Sequence, residues 1–174
     1  MKLPVVSIDT IPETLESFIN LRNTLCDTPE GAAAVIILAL LLYAQDDDLG
    51  RQCLAAAVHH DQLWEGPEGY QGLQISRGNM QLIRAQIADR PYMLQSYIKG
   101  TSPENGYRLP DPPYVFEFTT NKYSGNPEQG WYKLFVVCSG AASPRPVMVK
   151  KDRDGLWKAA EWSSLLVGVV PPQA

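Results

Sequence analysis

An α+β fold, with N-terminal helices packed on a C-terminal antiparallel β-meander, is predicted by three features of the 174-residue chain. Helix-start signals and 3.6-residue apolar periodicity occupy about residues 10–90. Short β-rich runs separated by turn sequences occupy about 113–170. Between the helix signals lies Ala32–Ala44, a run with no charged or amide side chain that needs cover on every side. Helices first and strands second is the order of an α+β domain whose sheet has its apolar face covered by the helices.

The first helix is predicted from a Thr10-x-x-Glu13 capping box, with Pro12 in the first turn, and runs to about Cys26. Leu15, Phe18, Ile19, Leu21 and Leu25 form its apolar face. Thr28-Pro29-Glu30 repeats the start signal as cap, first-turn proline and acid at the positive helix end, opening a second helix over about 30–45. Asp46-Asp47-Asp48 ends it and caps a third, about 48–60, with Leu49, Cys53, Ala56, Ala57 and His60 at helical spacing. Residues 64–78 hold Gly66, Pro67, Gly69, Gly72 and Gly78 and read mostly as loop. A fourth helix, about 78–89, stops before Pro91, and 92–98 reads equally as extended or helical.

From Gly100 onward the pattern changes. Pro103, Pro110, Pro112, Pro113 and Asn105-Gly106 mark turns, followed by strands at Tyr114–Thr120 and Trp131–Cys138. Val147–Lys151 and Leu156–Ser163 flank Asp152-Arg153-Asp154-Gly155, a hairpin signal, and Leu165–Val170 is a further candidate strand. No repeat is visible. A β-part of roughly 60–70 residues would be marginal alone, so the expectation is one domain over 1–174, helical at about 10–90 and β at about 113–170.

Nineteen acidic and fifteen basic side chains give a net charge of −4. Residues 101–174 carry the one basic cluster, Lys150, Lys151 and Arg153 with Arg145 upstream, but Asp152 and Asp154 interrupt it, so it reads as a solvated hairpin tip and no nucleic-acid partner is expected. A helix over 30–45 spans about 24 Å at 1.5 Å per residue, short of the roughly 30 Å hydrocarbon core, and its flanks are acidic. A buried central helix and no membrane partner are therefore expected. Cys26, Cys53 and Cys138 are odd in number and form no CxxC pair, which suits reduced, buried thiols. Met1-Lys2-Leu3-Pro4 leads quickly to Asp9, Pro12 and Glu13 without an apolar leader core, and the expected location is cytoplasmic.

His59-His60-Asp61 is the most reactive-looking cluster, yet neighbours on a helix point about 100° apart and do not readily share a metal. At a helix C-terminus the histidines serve the helix dipole. Cys53 and His60 fall on one face but about 10 Å apart, too far for a thiolate–base pair. Asp46-Asp47-Asp48 lacks the fifth- and twelfth-position ligands of a calcium loop, Gly50 and Ala57 standing there. Gly66–Gly72 fits neither GxGxxG nor a P-loop, and Ser139-Gly140 and Ser143 lack the GxSxG elbow. No catalytic residue, metal site or cofactor is expected from these patterns.

The phrases GTSPENGY (100–107), SGAASPRPV (139–147) and WKAAEWSSLLVGV (157–169) resemble those of an uncharacterised bacterial family of domains of unknown function, and TPEGAAAVIILALLLYA (28–44) is similar to it too. The resemblance carries no activity, cofactor or catalytic residue. It implies that polar loop residues of these phrases matter, which gives Asn105, Tyr107, Ser143 and Arg145 as candidate binding residues. Loops on a rigid sheet are where binding groups are usually mounted.

Two functions follow as expectations. The first is a non-enzymatic protein-interaction or accessory domain with a protein partner, using Tyr107, Tyr114, Trp131 and Tyr132 as interface aromatics. The second is a small-molecule-binding or enzymatic pocket between the helices and a curved sheet, with His60 or Arg145 converging on it.

Overall fold

The structure, a computed structural model, describes residues 4–173. Met1–Leu3, where the N-terminal reading begins, and Ala174 lie outside the described residues.

The fold is α+β and is organised around one helix. α2 (Pro29–Gln45) is capped by Thr28, whose hydroxyl accepts from the Gly31 N–H at 3.1 Å, and every residue from Gly31 to Tyr43 is buried. α1 (Leu15–Leu25) and α3 (Asp47–Ala57) pack against it, as does a four-stranded antiparallel sheet in the order β5-β6-β7-β8. The strands are β5 (Phe118–Thr119), β6 (Trp131–Val136), β7 (Arg145–Lys151) and β8 (Trp157–Glu161). Leu134 pairs with Val147 across β6 and β7, and Val149 with Ala159 across β7 and β8. These four side chains are buried in the same apolar cluster as α2. Among the described residues no helix is long and apolar enough to cross a membrane.

Several elements differ from expectation for local reasons. α1 is capped by Thr14 rather than Thr10: Thr14 Oγ1 accepts from the Ser17 N–H at 3.1 Å and Ser17 Oγ from the Thr14 N–H at 3.2 Å. The preceding chain is held extended as β1 (Val6–Ile8), paired antiparallel with β4 (Tyr114–Phe116). That pairing also divides the single strand expected at 114–120, since β5 turns to β6 instead. The segment expected to be loop at 64–78 contains a hairpin, β2 (Leu63–Tyr70) and β3 (Leu73–Ile75), with a bulge between Glu65 and Tyr70. Gln71 and Gly72 both take positive φ, 52° and 79°, the conformation a two-residue hairpin turn requires. α4 (Arg77–Ile87) follows, capped by Ser76, and then the short α5 (Tyr92–Gln95). The final strand expected at 165–170 is a 3₁₀ turn, Ser163–Leu166, followed by Gly168 at φ 71°.

α3 crosses α2 closely because Gly50 has no Cβ, and one added there would strike the Tyr43 backbone. Gly50→Ala is expected to lower stability by roughly 1–3 kcal/mol through overpacking, measurable by urea denaturation. An unchanged midpoint would mean that this crossing is loose.

Cys26, Cys53 and Cys138 are free and buried. Burial pushes the Cys26 thiol up to about 12 against the opposing charges of Arg22 and Lys158, and the Cys53 thiol up to about 12 as well. A thiol reagent should count three groups after denaturation without reductant and none rapidly before it. Fewer than three after unfolding would reveal a disulfide.

Candidate functional site

The chemistry-bearing side chains gather where the end of α3 meets the β7–β8 turn. α3 stops at Ala57 because Val58 becomes extended and bridges Ala159 of β8, and the His59 N–H donates to the Ala159 carbonyl at 2.8 Å. The two histidines therefore leave the helix, contrary to the helix reading through residue 60. His60 opens a 3₁₀ turn, His60–Gln62. Their rings stack with centroids 4.6 Å apart at 30°.

Both rings turn toward Asp152, a buried residue that the sequence had assigned to a solvated hairpin tip. Asp152 Oδ1 accepts from His60 Nδ1 at 2.5 Å and from the Arg153 N–H at 2.9 Å. Oδ2 accepts from the His60 backbone N–H at 3.2 Å and from Lys158 Nζ at 3.2 Å. Lys158, itself buried, also donates to Asp154 Oδ2 at 2.9 Å. Burial by itself raises the Asp152 carboxyl. The His60 ring N–H, the Arg153 amide and the Lys158 ammonium outweigh it and hold the carboxyl far below the usual range. Asp154 is shifted in the same direction, burial being opposed mainly by Lys158.

With Nδ1 donating to Asp152, a neutral His60 presents the lone pair of Nε2. Asp61 Oδ1 lies 3.1 Å from that nitrogen, so a protonated ring has a second carboxylate to donate to. His60 is one third exposed and lines a cleft of about 230 Å³ with Arg22, Tyr70, Asp152, Asp154 and Lys158. Arg22 is fixed there by donating through Nη1 to the Ala56 carbonyl at 3.0 Å, its guanidinium 5.6 Å over the Tyr70 ring. An imidazole held between two carboxylates at a cleft wall is able to accept or donate a proton.

His59, His60 and Asp152 also bring metal-ligand atoms within 4.8 Å of one another, which adjacent positions on a helix do not readily achieve. Their partners point to a hydrogen-bonded network instead. His59 Nδ1 accepts from the Asp61 N–H at 3.2 Å and its Nε2 faces the Lys151 carbonyl at 3.2 Å, so both nitrogens are engaged. Lys158 already supplies a cation to Asp152.

The four residues taken from the loop phrases lie elsewhere. Asn105 closes its own loop, Oδ1 accepting from the Ser102 N–H at 3.0 Å and the Arg108 N–H at 3.2 Å. Tyr107 is fully buried, with its hydroxyl donating to the Val170 carbonyl at 2.5 Å. Arg145 Nη2 donates to the Gly168 carbonyl at 3.0 Å. Ser143 is exposed in the turn before β7. Tyr107 and Arg145 thus both hold the segment that follows the last 3₁₀ turn, and the Val170 N–H donates to the Gly140 carbonyl at 2.9 Å. Asp152 and Lys158 escaped the sequence reading, because an Asp in a hairpin turn looks solvated until its partners, 92 residues away for His60, are known.

An α2-centred helical layer on a four-stranded antiparallel sheet, with a polar cleft at the hairpin end, defines an α+β domain with a charged site at the junction of its layers. The chain belongs to the family DUF6935, a domain of unknown function, whose model matches residues 10–173. No curated protein and no solved structure matches it.

Removing the buried carboxylate leaves Lys158 with Asp154 alone and His60 without its orienting partner. Asp152→Asn is expected to cost about 3–5 kcal/mol, the range for breaking a buried pair. The pH dependence has a definite sign. A carboxyl held below its unfolded value of about 3.9 stabilises fully above that pH and loses its contribution as pH falls toward the folded value. Wild-type stability should therefore fall below about pH 4, and Asp152→Asn should flatten that slope. Parallel slopes in urea titrations of the two proteins would remove Asp152 from this role.

Proposed function

We propose that this domain binds a small polar ligand in the cleft at His60, and that His60 exchanges a proton or hydrogen bond with it. The observation that carries the reading is the His60 ring, held by buried Asp152 through Nδ1 while it lines the cleft. The ligand is small: about 230 Å³ is below the roughly 300–1,000 Å³ typical of drug-sized ligands. Its polar character follows from Lys158, Asp154 and Arg22 at the walls. The competing protein-interaction reading draws less support from the aromatics expected to serve it. Tyr107 is fully buried, Tyr114 and Tyr132 pack partly against the core, and Trp131 lies over Gly125. The three thiols, buried and unbridged, support action in a reducing compartment such as the cytoplasm.

Ligand-observed NMR against a panel of small carboxylates, amides and polyols tests the proposal. Saturation transfer to at least one compound is expected, lost in His60→Ala and kept in Ser143→Ala, with thermal melts confirming that both variants fold. A panel without hits, or hits indifferent to His60→Ala, would overturn it.

A further inference from the structure

A second cavity, sharing no lining residue with the His60 cleft, is built on the opposite face of the same hairpin. Successive strand residues point to opposite faces. Leu63 and Leu73 border the His60 cleft, while their neighbours Trp64 and Gln74 border the other cavity, which Ile75 at the end of β3 also lines. Trp64 and Gln74 are direct cross-strand partners. The facing wall is α4, whose Arg77, Met80, Gln81 and Arg84 recur at intervals of three and four and so occupy one helix face. Arg51 of α3 lies at the same cavity. The volume, about 630 Å³, falls within the range of small-molecule sites.

Two features of this cavity are left unsatisfied by the protein. Trp64 is 58% exposed, whereas Trp157 and Trp162 are each 5% exposed, so a large apolar ring is offered to the solvent at the cavity wall. The charges do not balance either. Arg51 pairs with Asp47 and with Glu68, the latter at 3.3 Å, and Arg84 lies 4.0 Å from the same Asp47. Arg77 pairs with no carboxylate among the described residues, which leaves three guanidinium groups against two carboxylates. Arg51 Nε is buried and has no hydrogen-bond partner.

We infer that this cavity binds a planar aromatic anion, its ring stacked on Trp64 and its phosphate or carboxylate held by Arg77 with Arg51 and Arg84. Indole faces take flat rings, and guanidinium groups offer the forked donors that match planar carboxylates and phosphates. Gln81 stands at the wall with an amide suited to ring heteroatoms, and Gln74, whose Oε1 accepts from the Glu68 N–H at 3.1 Å, has its amide N–H groups left to donate. The inference is independent of the ligand proposed at His60.

Titrating the intact protein with AMP and with nicotinate, followed by tryptophan fluorescence and calorimetry, distinguishes a phosphate from a carboxylate as the anion. Saturable binding of at least one of them is expected, with adenosine or pyridine, the uncharged counterpart of the probe that binds, weaker by about tenfold or more. Trp64→Leu should weaken binding by about tenfold, within the range for loss of one stacking aromatic. Arg77→Ala should weaken it several-fold. Both residues are exposed, so these substitutions leave the core untouched. The inference is overturned if neither probe saturates at millimolar concentration, if the uncharged compound binds equally well, or if both variants bind as wild type does.

Discussion

A helix without a polar face imposes the architecture. α2 buries Gly31 through Tyr43 without a break, and each of its large aliphatic side chains contributes about 1.5–3 kcal/mol when removed from water. Net domain stability is only about 5–15 kcal/mol, so a fold that left even one side of α2 open would lose most of it. The sheet, α1, α3 and α5 must close around the helix together. Closure brings the end of α3 against β8 at Val58 and Ala159, and α1 against the start of β8, where the Trp157 N–H donates to the Cys26 carbonyl at 2.8 Å. The polar site is a product of that meeting. Asp152 tolerates burial because the same junction supplies a ring N–H, two amides and an ammonium to its oxygens.

The parts legible in the sequence were those with local causes. Thr28 and Pro29 mark the start of α2, Met80, Ile83 and Ile87 recur at helical spacing in α4, and β7 and β8 flank a turn that contains Gly155 at positive φ. The start of the first helix was misplaced because its cause is not local. Thr10 was the expected cap, but the chain before it is held extended by β1 pairing with β4 more than 100 residues away, and α1 is capped by Thr14. The division of the strand at 114–120 has the same origin.

The site was less legible because its key decision is non-local. Helical periodicity carried through Val58 places His59 and His60 on different faces, and that geometry fails once Val58 joins the sheet edge. A single parallel bridge thereby converts two helix-end histidines into a stacked pair facing a carboxylate. The hairpin at 63–75 failed for a different reason. Its glycines look like loop punctuation, yet Gly72 serves the two-residue turn, and Gly66 and Gly69 are positions where an added Cβ would meet the Gln74 side chain and the Leu73 backbone. Glycines there permit two strands to approach closely, which composition alone does not distinguish from flexibility.

The phrases that carry the family resemblance and the residues that line the two cavities are largely different sets. GTSPENGY, SGAASPRPV and the end of WKAAEWSSLLVGV meet in one place: Tyr107 bonds Val170, the residue just after the third phrase, Arg145 bonds Gly168, and the Thr101 and Ser139 hydroxyls lie 2.9 Å apart. Gly140 belongs to the same contact, since a Cβ there would run into the Tyr107 hydroxyl. These residues direct their polar groups at backbone carbonyls and at each other, tying the segment after the last 3₁₀ turn across the rim of the sheet. Lys158 is the exception, since it lies in the third phrase and also reaches Asp152. Family recognition through such phrases therefore reports mainly on how the fold is fastened. The titratable side chains instead gather where helix end, hairpin turn and the β2–β3 ribbon meet, residues brought together only when the chain is folded.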